Sequence, residues 1–170
     1  MIAANYTCAD NGSGLAVCSG TVANGSNINT ASAGTRTFTV DATDQVGNQA
    51  VQQSRSYTVG YGVNVLFDQT KANKSGSTVP IKIQLADVLG RNVSAAGTTV
   101  HAVALIQIAT SASETVNDAG NSNPDNNFRF DGGQYVFNLK TTGLPTGTYR
   151  LDFIAGADPT VHSVQFQVRQ

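Results

Sequence analysis

The chain has no tryptophan, one methionine and two cysteines among 170 residues, and only 12% of it is charged. Each shortage closes a class of function. Without tryptophan, the aromatic platform on which carbohydrate modules stack sugars must come from tyrosine or phenylalanine. With ten Lys and Arg against eleven Asp and Glu, net charge −1, there is no basic patch to neutralise phosphates, so nucleic acid is not an expected partner. No apolar run reaches the length that spans a bilayer, so no membrane insertion is expected. The two histidines, His101 and His162, stand far from the cysteines and from each other, so a Cys/His metal site lacks its ligands. No nucleophile elbow, phosphate loop or zincin motif occurs, and the chain reads as non-enzymatic, with no catalytic residue to name.

What is present is β patterning. In residues 34–48, Phe38, Val40 and Ala42 alternate with Thr39 and Asp41 at the period of a half-buried strand, and Asp44 to Asn48 supplies the Gly and Asx residues of a tight turn. Strands are expected near Ile2–Cys8, Leu15–Val22, Gly34–Thr43 and Ala50–Val59, divided by Gly/Asn/Ser turns. Four strands are too few for an Ig-like sandwich, which takes about seven strands in about 100 residues. Residues 1–60 therefore read as the C-terminal part of such a domain. Residues 61–170 read as a complete sandwich of about seven strands, near Val63–Phe67, Val79–Leu85, His101–Ile108, Phe128–Phe130, Tyr135–Leu139, Tyr149–Phe153 and Val161–Val168. His101–Ile108 is apolar at both parities, which predicts a central strand buried on both faces. The fold class is all-β, two Ig-like β-sandwich units in tandem with the first incomplete, joined through a short Gly-containing junction at Tyr57–Gly62.

Cys8 and Cys18 flank Asp10-Asn-Gly-Ser-Gly14, which can turn the chain back on itself, and a disulfide between them is expected. That bond implies an oxidising compartment, hence an extracellular or cell-surface location. With Met1 and no leader ahead of it, the chain is expected to be a portion, or the processed form, of a longer secreted protein.

Two resemblances sharpen this. Residues 34–48, with Thr39-Val-Asp-Ala-Thr-Asp-Gln-Val-Gly-Asn48, resemble the penultimate strand and final turn of Ig-like repeats in secreted bacterial surface proteins. Thr78-Val-Pro-Ile-Lys-Ile-Gln-Leu85, Phe128-Arg-Phe-Asp131, Gly133 to Thr141, Gly147-Thr-Tyr-Arg-Leu151 and His162 to Val168 resemble, in order, the bacterial PxKF domain, with Ile83 standing where that family's name has Phe. The resemblance implies a surface or secreted module that follows Ig-like repeats, and it brings no catalytic residues.

Several residues invite chemistry. Lys82, on the outward parity beside Pro80, could supply the amine of an isopeptide crosslink, but an outward amine stays solvated and charged, so an edge lysine that discourages strand pairing is the expectation. Asp118, Asn121, Asn123, Asp125 and Asn127 form the densest oxygen-ligand segment, a calcium candidate without the Gly and Glu of an EF-hand loop. A solvated connecting loop is the expectation. Asp41 and Asp44 flank the first turn, where Asp44 is expected to cap it and Asp41 to face solvent. His162 and Ser163 are neighbours on a strand and so face opposite ways, leaving His162 as a partly buried, hydrogen-bonded side chain. Tyr135, Phe137, Tyr149 and Phe153 fall on inward parities and read as core. The function expected is a structural or adhesive module, whose partners are other copies of itself or neighbouring surface domains. It could build a filament through strand donation into the incomplete first unit. A carbohydrate- or calcium-binding module is the alternative.

Overall fold

The computed structural model describes residues 2–117, 119 and 122–170. The chain divides into two compact units, Met1–Val59 and Gly60–Gln170. Each is all-β.

The first unit is one antiparallel sheet of order β1-β2-β3, formed by β1 (Leu15–Gly20), β2 (Gly34–Asp44) and β3 (Gln53–Val59). The alternation seen in the sequence explains β2: Arg36, Phe38, Val40 and Ala42 are half-buried on one face while Thr35, Thr37 and Asp41 are exposed on the other. Ile2–Cys8, expected as a fourth strand, is not one. It runs beside the irregular turn at 23–28 and forms a single bridge there, Ala3 with Asn27. Ala4 N–H donates to Ser26 O at 2.8 Å, and Tyr6 N–H turns to the Asn24 side chain, because a turn cannot offer the regular ladder a strand needs. Tyr6 covers the sheet instead. Its ring lies 5.8 Å from that of Phe38, and its hydroxyl accepts from Gly20 N–H and donates to Val22 O. Gly20 is required there, since a Cβ would meet both rings at 2.8 Å.

The second unit is a sandwich. Its first sheet has the order β4-β6-β10-β9, from β4 (Gly62–Val65), β6 (Thr78–Ala86), β10 (Gln134–Lys140) and β9 (Arg129–Asp131). Its second has the order β5-β12-β11-β7-β8, from β5 (Ala72–Lys74), β12 (Asp158–Arg169), β11 (Gly147–Ala155), β7 (Val100–Gln107) and β8 (Ala112–Glu114). All seven expected strands are found, and β5 and β8, three residues each, are added at the edges of the second sheet. Both are too short to show a period. The only helical turn among the described residues is the 3-10 turn Pro124–Asn126.

Register builds the core. Tyr135, Phe137 and Leu139 of β10 stand opposite Ile83, Ile81 and Val79 of β6. Tyr149 and Leu151 of β11 stand opposite Phe166 and Val164 of β12 on one side and Gln107 and Leu105 of β7 on the other. Phe128 links the sheets, with its ring 5.0 Å from Phe137 and 5.5 Å from Phe153. Removing one such ring would cost about 3–5 kcal/mol.

β7 corrects the expectation of a strand buried on both faces. It lies inside its sheet, but Val103 is 45% exposed and Ile108 42%. Asp152 pairs with Ala104 and Phe153 with Ala102, so Val103 is an extra residue in a bulge. The bulge moves the inward set from Val100 and Ala102 to Leu105, and this phase shift puts apolar residues on both parities.

Candidate functional site

Cys8 and Cys18 are bonded, Cα to Cα 5.8 Å, and no cysteine is free. Cys18 lies in β1 opposite Ala42, so the bond ties the N-terminal segment to the sheet's outer strand. Within the loop it closes, the Asp10 carboxylate accepts N–H bonds from Gly12 at 3.2 Å and Gly14 at 2.6 Å.

Two turns, one in each unit, are the same device. Asp44 Oδ1 accepts from Val46 N–H (3.0 Å) and Asn48 N–H (2.8 Å), and Asp87 Oδ1 accepts from Leu89 N–H (2.9 Å) and Arg91 N–H (3.0 Å). Asn48 Nδ2 and Arg91 Nε each donate to the other carboxylate oxygen at 2.7 Å. Gly47 (φ 93°) and Gly90 (φ 76°) supply the left-handed residue that the turn needs. The Asn48 side chain holds Asp44 below the usual carboxylate range, and the Arg91 side chain does the same for Asp87. Asp44 thus caps its turn as expected, while Asp41 is exposed and accepts from Gln52 Nε2. The aspartates do structural work.

The Asn-rich segment is not a solvated loop along the part described. Asp118 and Asn121 lie outside the described residues. Asn123 is 1% exposed and its amide imitates a strand: Nδ2 donates to Asn138 O at 3.0 Å, and Oδ1 accepts from Asn138 N–H at 3.2 Å. Lys140 N–H donates to Asn117 O and Ala119 N–H to Asn138 O, so the segment covers the edge of β10 beyond the end of β9. Asn127 Oδ1 meets His101 Nδ1 at 3.0 Å. Asp125 is exposed, with φ 55°. Among the described residues no group of three or more His, Cys, Asp or Glu is placed to hold a metal.

Lys82 is not an edge lysine, which corrects that expectation. β6 runs between β4 and β10, with Val136 opposite Lys82 and Leu66 N–H donating to Lys82 O at 2.8 Å. Only beyond it, at Pro80, does β6 lose the β4 side of its ladder, where a residue without N–H is tolerated. Tyr135, Phe137, Tyr149 and Phe153 are all core, each at most 1% exposed. Those four rings leave no face for a sugar.

One cluster escaped the sequence. Asp158, its side chain fully buried, accepts from Tyr61 N–H (2.7 Å) and His162 Nε2 (2.9 Å) through Oδ2, and from Thr160 N–H (2.9 Å) through Oδ1. It fixes the first residues of the second unit to the start of β12. The signal available was Asp158 and His162 four residues apart, hence on one face of a strand. Tyr61 stands far away along the chain and could not be joined to them. His162 is partly buried and bonded, as its parity predicts, with its ring 5.7 Å from Phe153.

Two open clefts of about 230 Å³ lie on the surface, one beside Asp10, Leu15 and Asp44 in the first unit, the other beside Phe67, Asp68, Lys71 and Pro80 in the second.

No protein-family model matches the chain, and no curated protein does. Among solved structures it is similar to the D00-D0 domain of intimin, at 13% identity over 95% of this chain and 88% of that one, TM-score 0.42. It is also similar to domains 4–9 of the surface layer protein SbsC (13% identity, 79% and 18% covered, TM-score 0.36) and to an I-band fragment of titin (12%, 79% and 41%, TM-score 0.33).

Proposed function

We propose that the chain is a non-enzymatic structural and adhesive module of an extracellular surface protein, a PxKF-like sandwich preceded by the closing part of an Ig-like domain. The second unit is its self-sufficient spacer. The first unit is its joint, taking up a strand from a neighbouring copy so that copies add head to tail.

One observation carries this reading: the first unit is a single sheet whose β3, seven residues long, has β2 as its only strand partner among the described residues. An unpaired strand edge is a template for another chain, and natural proteins blunt such edges by shortening them or covering them. In the second unit the edge strands β5, β8 and β9 are three residues each, and β4 is four. β3 is longer than these, and no second strand pairs with it among the described residues. The first unit also has little core of its own, with Ala4 its one buried hydrophobic side chain among the described residues and Val51 85% exposed beside β3. The disulfide and the two sequence resemblances support the extracellular setting. Electron microscopy of the protein tests the reading. Linear assemblies that lengthen with concentration support it, and monomers with a stably folded first unit oppose it.

A further inference from the structure

The chain contains two Asn-Gly dipeptides, Asn11-Gly12 and Asn24-Gly25, and both asparagines are exposed. Asparagine before glycine is the pair most prone to rearrange, because glycine has no side chain to keep its nitrogen from the neighbouring carboxamide. Exposure does not distinguish the two sites. Hydrogen bonding does.

At Asn24 both reacting groups are tied. Its Oδ1 accepts from Tyr6 N–H at 3.1 Å, and Gly25 N–H donates to Ala4 O at 2.8 Å. The turn is closed again by Ser26 N–H to Ala23 O. At Asn11 the carboxamide has no partner among the described residues. Gly12 N–H has one contact, 3.2 Å, to the exposed side chain of Asp10.

We infer that Asn11 is a site of spontaneous modification, a deamidation that the folded first unit permits at Asn11 and blocks at Asn24. Gly12 N bonds to Cγ of Asn11 and the Cγ–Nδ2 bond breaks. The Gly12 proton leaves with Nδ2 as ammonia, and a five-membered imide remains. Water then opens the imide at either carbonyl, giving aspartate or isoaspartate. Water is the one reactant that enters, and no oxidant is needed. The product adds one negative charge to a chain of net charge −1, within the loop that Cys8 and Cys18 close. Because the disulfide holds both ends of that loop, the altered backbone stays attached to the sheet, and the residue records the age of the molecule.

The test is peptide mapping by mass spectrometry of the intact, disulfide-bonded protein held at mildly alkaline pH. Asn11 should convert about tenfold faster than Asn24, the factor expected when one more hydrogen bond on the reacting groups must open first. After reduction and unfolding in urea the two should convert at similar rates. Asn11→Gln should abolish the mass gain in its peptide and leave the amide exchange of β1 and β2 unchanged. Conversion of Asn24 as fast as Asn11 in the folded protein would overturn the inference. So would an Asn11 that stays intact while the unfolded chain converts at both sites.

Discussion

Asp158 and His162 lie four residues apart on β12, with Nε2 2.9 Å from Oδ2, and the same oxygen receives the N–H of Tyr61, almost a hundred positions earlier in the chain. Both carboxylate oxygens act as acceptors. Asp158→Asn would turn a donor toward Tyr61 or Thr160 and lose a bond to a charged group, at a cost of about 2 kcal/mol. Urea unfolding of the second unit measures this, and an unchanged midpoint would contradict it.

The same residue sets an acid limit. Burial pushes Asp158 up, but the N–H groups of Tyr61 and Thr160 and the His162 ring outweigh it and hold the carboxyl below its ordinary 3.8. On acidification the unfolded chain therefore takes up this proton first. The contribution is whole above about pH 3.8, and it is lost as pH falls through the lower folded value. A thermal unfolding series should show a step in that window for the wild type and a smaller one for Asp158→Asn.

The disulfide should matter to the first unit alone. Replacing Cys8 and Cys18 by serine frees a short loop, worth about 2–3 kcal/mol in the chain-entropy account. Amide exchange should quicken across β1, β2 and β3 and stay unchanged in β6, β10 and β11. A uniform change in both units would contradict this.

Asn123→Asp separates scaffold from calcium ligand. The acid keeps an acceptor for Asn138 N–H and loses the donor to Asn138 O, so a structural role predicts destabilisation of about 1–3 kcal/mol. Titration calorimetry should show no calcium binding before or after the change. A variant that binds calcium more tightly than the wild type would reverse the assignment.

Much of this was legible because period 2 survives in four strands that are each paired on both sides and carry an unbroken inward set. β6, β10, β11 and β12 keep their inward sets of Val79 to Leu85, Tyr135 to Leu139, Tyr149 to Ala155 and Val164 to Val168 without interruption. Misreadings occurred where something other than pattern decides. The bulge at Val103 shifts phase without leaving a mark in composition. β5 and β8 are held by neighbours and are shorter than one full alternation. Ile2–Cys8 has strand-forming residues but only a turn beside it to pair with. Asn123 was read as loop because its burial depends on Asn138, fifteen residues on. Asp158 needed Tyr61, which no local window contains.

The central claim is that β3 accepts a strand from another copy, and hydrogen exchange followed across a concentration series tests it most directly. The account predicts that the amides of Gln53–Val59 on the side away from β2 exchange quickly in dilute protein and become protected as concentration rises, in step with a growing sedimentation coefficient, while β11 and β12 stay protected throughout. Exchange in β3 that is independent of concentration, in a protein that sediments as a monomer at every concentration, would contradict it.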